Sequence, residues 1–564
     1  MTLYGSDAIV DLLVDLGVDL IPLAPGATFR GLHDSLVHHR GDGPEIIDCL
    51  HEEISVAVAH GYAKATGKLT AAALHDIVGL QHATMAIYNA WCDRVPLLLL
   101  GGSGPADAAL RRPWIDWIHT ANVQATQVRD YTKWDDQPGS LPAAMESLVR
   151  ARQLAMSAPR GPVYIAVDSE IQESPVPTAW SGIEPGRYPV AQPLYPGRDV
   201  VRRIAQRLVG ARSPVLAVES VDRDQETLER LVALAETLGA PVLEVQRDYN
   251  RTELCMPTQH PLNHTGMPLD EDPDLVLALE VRDTQVIPGC GDAPVIQVST
   301  AGLAAKAWAA DLQRVQPAEV LVAAQVSATL EVLLPEVRNC VDRARAQRRT
   351  AQLTAHAARH RAGWQRAASD DAGLTAAVLA ERLQRATAGS DPVLANGSLH
   401  NWVHRLWSID HVRSYLGSSG GAGLGYGLGA SVGAALAHRS TDRLVIDIQS
   451  DGDALMTPGA LWTAAHHRVP LLVVVENNRM WGNSFMHAQK MATARNRTGA
   501  RPGVGTLIDD PAVDFAGLAR AQGITATWTV TEGQELDPAL AAATEHVLTT
   551  RTPALVDVVT ATHG

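Results

Sequence analysis

Cysteine is scarce in this chain and scattered. Five residues, Cys49, Cys92, Cys255, Cys290 and Cys340, are spread over 564 positions with no CxxC pair among them. That excludes a disulfide framework and a thiolate zinc cluster, and it fits a reducing compartment. No HExxH metal motif occurs. Positive charge is also in short supply. The 47 Lys and Arg stand against 62 Asp and Glu, a formal net charge of −15, which leaves no large basic surface for a nucleic acid. The N-terminus, MTLYGSDAIVDLL, is acidic where a secretory signal has a basic region. The longest apolar runs, such as VPLLLLGG, fall far short of the ~20 residues that span a bilayer. These absences predict a soluble, cytoplasmic protein with no nucleic-acid partner and no membrane partner.

Apolar residues make up 46% of the chain and charged residues 19%, which is a globular composition. The length is too great for one ordinary core. Over the first ~175 residues, helix-like pieces (GSDAIVDLLVDLG, EEISVAVAHGYAKATG) alternate with strand-like ones (VDLIPLAPG, TAAALHD, PLLLLGG). That alternation implies a parallel sheet with helices on both faces. A Pro-, Gly- and Ser-rich stretch at 172–197 reads as a linker. A second α/β region follows, with strands SPVLAVES, APVLEVQ, LVLALEV and APVIQVS. It gives way to Arg- and Ala-rich helices at 336–369, and a third region runs from about 371 to the end. The expected fold is α/β, with three doubly wound parallel-sheet domains at 1–175, 195–335 and 371–564. An internal echo links the first and third. Arg94-Val95-Pro96-Leu97-Leu98 follows IYNAWCD, and Arg468-Val469-Pro470-Leu471-Leu472 follows LWTAAHH.

The third region holds the most specific signal. An apolar run, RLVIDIQ, leads into Ser450-Asp451-Gly452-Asp453; helix-like sequence and a second run, PLLVVVE, lead into Asn477-Asn478, 27 residues after Asp451. This reads strand, turn, helix, strand, with Asp451 and Asn478 at strand carboxyl ends. Neighbouring parallel strands would bring two hard oxygen ligands to one sheet edge. Such a pair suits Mg2+ serving a phosphate-bearing cofactor. A helix is expected from Thr457, its N-terminus aimed at the same place.

Together with His51-Glu52 and Gly61-Tyr62-Ala63, this spacing resembles the thiamine diphosphate-dependent enzymes of the decarboxylase and acetolactate synthase type. The resemblance covers nearly the whole chain. It implies a pyrimidine-binding first domain, a central domain, and a diphosphate-binding third domain. It implies thiamine diphosphate and Mg2+ as cofactors, with Asp451, Asn478 and the Met480 carbonyl as metal ligands. Gly397, Ser398 and His400 would contact the diphosphate, alongside Gly452, Asp453 and Ala454 of the turn. Ala422, Gly423 and Leu424 match the stretch that grips the aminopyrimidine, with Leu424 under the bent cofactor. Glu52 matches the glutamate that hydrogen-bonds the aminopyrimidine. The likeness further implies a homodimer or homotetramer in which Glu52 and the metal set come from different subunits. Two departures stand out: Ser450 replaces the usual glycine, and Asp453 places a second carboxylate in the turn.

Within the family the likeness is to the benzoylformate decarboxylase type. His75 lies 23 residues after Glu52 in a Leu-His context, and His260 lies in Pro257-Thr258-Gln259-His260-Pro261. Both match active-site histidines of that type, and imidazoles handle protons at neutral pH. The serine expected after Pro25-Gly26 is replaced by Ala27. The implied activity is non-oxidative decarboxylation of a 2-oxo acid, with an aldehyde as acceptor in carboligation. Met480-Trp481-Gly482-Asn483-Ser484-Phe485 is expected to line an apolar substrate pocket. Three alternatives stand beside it. An acetolactate synthase-like carboligase lacks support where Gly101-Gly102-Ser103 replaces the usual glutamine. A 2-hydroxyacyl-CoA lyase would use Lys490, Arg495, Arg497 and Arg501. A catalytically silent paralogue is disfavoured by the presence of Glu52, Asp451 and Asn478.

Overall fold

The structure is a computed structural model that describes residues 2–178, 180, 182–246, 251–301, 316–369, 373–497 and 503–560. Apolar runs buried on both faces build three parallel sheets flanked by helices. The first contains β1 (Leu20–Leu23), β2 (Glu45–Asp48), β3 (Thr70–Leu74), β4 (Leu97–Ser103), β5 (Asp135–Asp136) and β6 (Val163–Asp168), in the order β2-β1-β3-β4-β6-β5. The second contains β7 (Pro214–Val218), β8 (Val242–Glu244), β9 (Leu275–Leu279), β10 (Val295–Val298) and β11 (Val320–Val322), in the order β11-β10-β9-β7-β8. The third contains β12 (Pro392–Asn396), β13 (Leu444–Ser450), β14 (Leu471–Asn477), β15 (Ala526–Val530) and β16 (Ala554–Val559), in the order β12-β13-β14-β16-β15. Among the described residues no helix is long and apolar enough to cross a membrane.

The first and third sheets share a plan. With the edge strand β2 set aside, the first reads β1-β3-β4-β6-β5, the same rank order as the third. The repeated Arg-Val-Pro-Leu-Leu plays the same part in each. Arg94 and Arg468 both take left-handed backbone, φ 53 and φ 49, where a helix ends and β4 or β14 begins.

Two helices join these halves almost without side chains between them. Helix Glu52–Thr66 carries Glu52 at its start, and helix Tyr426–His438 follows the glycine-rich stretch. A Cβ on Gly61 would lie 1.8 Å from the Ala430 carbonyl oxygen, and one on Gly433 would lie 1.9 Å from that of Val58. Each added methyl meets backbone, which cannot rotate away. Gly61→Ala is therefore expected to lower stability by about 3 kcal/mol, read from denaturant unfolding. An unchanged unfolding midpoint would mean that the two helices part freely.

One expected element starts elsewhere. The helix predicted from Thr457 begins at Gly459, and Asp451–Ala454 forms a separate single turn. The reason is local: Thr457 Oγ1 donates to the Gly425 carbonyl at 2.9 Å, and Pro458 caps the helix that follows.

Candidate cofactor site

β13 and β14 run parallel and in register as far as Ser450 opposite Glu476. Asp451 and Asn478 thus leave the sheet side by side. Asp451 is 2% exposed. Its Oδ2 and the Oδ1 of Asn478 both accept from the Met480 N–H, at 3.2 and 3.0 Å. Asp451 Oδ1 accepts from the Gly452 N–H at 2.7 Å. The partners of this carboxylate are backbone amides, and burial holds its pKa above the usual carboxylate range. The Met480 carbonyl accepts from the Gly482 N–H at 3.0 Å, closing a tight turn. Gly452 lies flat beneath Trp481, where a Cβ would come within 2.5 Å of the indole. Ala454 is buried behind it.

Asp453 takes a different course. Its Oδ1 accepts from the Gly425 N–H at 2.5 Å, and its Oδ2 accepts from the Gln449 amide. Asn396, at the end of β12, donates to that glutamine's oxygen at 3.1 Å. The extra carboxylate therefore ties the acidic turn to the glycine-rich stretch. In that stretch Ala422 has φ 50 and Leu424 is 43% exposed. Asn89 clamps Gly423 from the first domain: its Oδ1 accepts from the Gly423 N–H and its Nδ2 donates to the Gly423 carbonyl, both at 3.2 Å. Beyond β12, Gly397 has φ 87, and a Cβ there would strike the Ile448 carbonyl at 2.2 Å. Leu399, His400 and Asn401 are all left-handed, with φ 48, 53 and 67. Three consecutive non-glycine residues in that region store strain. Ser398 is buried and His400 exposed at this same sheet edge.

The first sheet presents a cluster of titratable side chains. Glu52 opens its helix and is buried. Its Oε2 lies 3.0 Å from His82 Nδ1, and a Cβ on Gly79 would fall 2.9 Å from its Oε1. His51 stacks on His82 with ring centroids 4.7 Å apart. His75 caps helix Asp76–Cys92 at the end of β3. His75, Gly79 and His82 thus follow helical spacing along one face. His75 Nδ1 is 3.0 Å from Thr28 Oγ1, and its Nε2 is 3.2 Å from His119 Nδ1. Burial, then His119, lower the His75 pKa, which favours the neutral imidazole. Asp76 beside it is fully buried, and burial pushes its carboxyl up to about 7. Gly26 backs directly onto His75, where a Cβ would lie 2.4 Å away. One residue after Ala27, the buried Thr28 turns its hydroxyl to His75.

His260 is not brought to this group. Its Nε2 faces Glu236 at 3.4 Å and its Nδ1 accepts from the Leu262 N–H, all within the central domain. Lys490, Arg495 and Arg497 are exposed on and after helix Gly482–Ala494, and Arg501 lies outside the described residues.

Two family models match. The thiamine pyrophosphate enzyme N-terminal TPP binding domain covers residues 3–127, and the C-terminal TPP binding domain covers 395–558. Together they span just over half the chain. The chain belongs to the thiamine pyrophosphate enzymes. Among curated relatives, the benzoylformate decarboxylase of Pseudomonas aeruginosa is 28% identical over 534 residues, 91% of each chain. The acetolactate synthase of Mycobacterium bovis is 25% identical over 508 residues, 86% of this chain and 78% of its own. A solved Rhodococcus jostii thiamine diphosphate-dependent 4-hydroxybenzoylformate decarboxylase superposes over the whole of both chains with TM-score 0.79 at 23% identity. That likeness is one of fold.

This thiamine pyrophosphate enzyme has residues that fit the family's cofactor. A buried carboxylate and an amide oxygen converge on one backbone N–H. The strained Gly397–Asn401 turn and the clamped Gly423 leave backbone at the same edge. His82, His119, Thr28 and Asn89 were not singled out by sequence reasoning. Helical spacing from His75 would have flagged His82. His119 sits 44 residues from His75 with no local signal.

Proposed function

We propose that this chain is a thiamine diphosphate- and Mg2+-dependent lyase that decarboxylates a 2-oxo acid without oxidation. Carboligation of the acyl unit to an aldehyde is its second activity. The observation that carries the reading is the convergence of Asp451 and Asn478 at one sheet edge, matched by buried Glu52 and by His75 at the edge of the other sheet. Asp451, Asn478 and the Met480 carbonyl would hold Mg2+. Gly397, Ser398, His400 and the Gly452–Ala454 turn would hold the diphosphate, Asp453 acting through Gly425. The Ala422 carbonyl, Gly423 and Leu424 would seat the pyrimidine, and Glu52 would bond its ring. When bound, the cofactor supplies a carbon nucleophile and an electron sink. Glu52 holds and returns a proton at its carboxylate. His75, oriented by Thr28 at Nδ1, exchanges one at Nε2 with His119 Nδ1. His260 enters only if a partner chain presents it.

The chain is taken as a cytoplasmic homodimer or homotetramer, its five cysteines all free. Apolar side chains stand exposed on both halves. Leu110, Trp114, Trp117 and Ile118 lie in the stretch that leads to His119, and Leu424, Met456, Met486 and Met491 lie in the stretches flanking the acidic turn and Asn478. These exposed apolar side chains are what a second copy would cover, and they support the shared site that the family likeness implies.

The test is a panel of 2-oxo acids, with and without acceptor aldehydes, followed by CO2 release and product NMR. At least one acid is expected to release CO2, with activity abolished by a chelator and restored by Mg2+. Turnover confined to a CoA thioester overturns the reading. Thr28→Val is expected to lower turnover roughly tenfold, about 1.4 kcal/mol, with cofactor affinity unchanged. Steady-state kinetics beside a cofactor titration decides it.

A further inference from the structure

His82 belongs to none of the roles above, yet it is the side chain that touches Glu52. Its Nδ1 lies 3.0 Å from Glu52 Oε2. The carboxylate is buried, whereas the His82 side chain is 50% exposed. One imidazole therefore spans from the buried acid to the open face of the chain. Its position is fixed from two sides. His51 stacks on it at 4.7 Å and 20° between planes, and His51 is itself pinned where its Nδ1 accepts from the Glu53 N–H at 3.2 Å. Gly79, one helical turn earlier, leaves room for Oε1 and no more. Glu52 can thus offer Oε1 to a ligand and keep Oε2 on His82.

We propose that His82 is the proton conduit between Glu52 and solvent, a positioning and relay residue acting through that carboxylate. The proposal rests on the role given to Glu52 above. The step balances simply. A proton leaves Glu52 Oε2 for His82 Nδ1, and the imidazolium releases its Nε2 proton to water. The reverse sequence reloads the acid. No other reactant is needed. His51 and Glu52, both at the start of the same helix, are the titratable groups recorded against His82. The sequence places the relay by spacing alone, since position 82 falls one turn after Gly79 on the helix face that begins at His75.

Two measurements test it. In the protein without cofactor, histidine 15N NMR should show the His82 Nδ1 resonance moving in Glu52→Gln, as an amide replaces its carboxylate partner. An unmoved resonance overturns the contact. In the loaded protein, deuterium exchange at the cofactor's reactive carbon is followed by quenched-flow NMR. His82→Asn keeps a hydrogen-bonding group but cannot relay a proton. Exchange should slow about 100-fold, recover on addition of free imidazole, and leave cofactor affinity unchanged. Wild-type exchange in His82→Asn overturns the inference, as does slowing that imidazole does not rescue. If Glu52→Gln also exchanges at the wild-type rate, the failure lies in the role of Glu52. If Glu52→Gln collapses while His82→Asn is unaffected, only the relay fails. Because His82 is half exposed, the substitution leaves the core intact.

Discussion

Glu52→Gln should leave a folded protein whose turnover falls by ~10²–10⁴. The glutamine matches the shape of the glutamate, so the packing against Gly79 survives and the His82 contact can be kept through the amide oxygen. What disappears is the exchangeable proton. Cofactor affinity should fall far less than turnover, because the metal and diphosphate contacts proposed above all lie on the third domain. Steady-state kinetics against calorimetric binding separates the two quantities. Turnover within a few-fold of wild type would remove Glu52 from the proton chemistry, and with it the decarboxylase reading.

Asp451→Ala should act in the opposite way, on binding first. It deletes one of two converging oxygens and strands the Gly452 N–H, while the Met480 N–H keeps only Asn478. Affinity for thiamine diphosphate in saturating Mg2+ should weaken at least ~100-fold, close to 3 kcal/mol. Asn478→Ala should move the same way. Asp453→Asn is the internal control. Its carboxylate bonds Gly425 and Gln449, so its loss should disturb the seat of the pyrimidine and leave Mg2+ affinity near wild type. Equal Mg2+ loss in all three variants would mean that the turn acts as a single acidic patch.

The strands named from sequence were legible because each is a short apolar run bounded by turn residues; β5, the half-buried pair Asp135–Asp136, carries no such signal. The edge position of Asp451 and Asn478 followed from the same pattern. What escaped was whatever depends on a neighbour distant in sequence. His119 reaches His75 across 44 positions, and Asn89 holds Gly423 across 334. Asp453 looked like a liability next to a diphosphate, and only the fold shows its carboxylate spent on the Gly425 amide. Thr457 looked like a helix start by its type. Its hydroxyl was claimed by Gly425 instead. In each case a backbone group in another segment competed for the side chain, and composition and period say nothing about that competition.

The shared strand order has a further consequence. β3 and β13 hold the same rank in their sheets, and their carboxyl ends carry His75 and Asp451 respectively. One strand plan thus appears twice, and on the proposed reading one copy moves protons while the other anchors charge. On that reading neither copy is a complete machine, and an isolated half should be inert however well it folds. Evolution could retune the chemistry in one copy while the other kept its grip on the ligand.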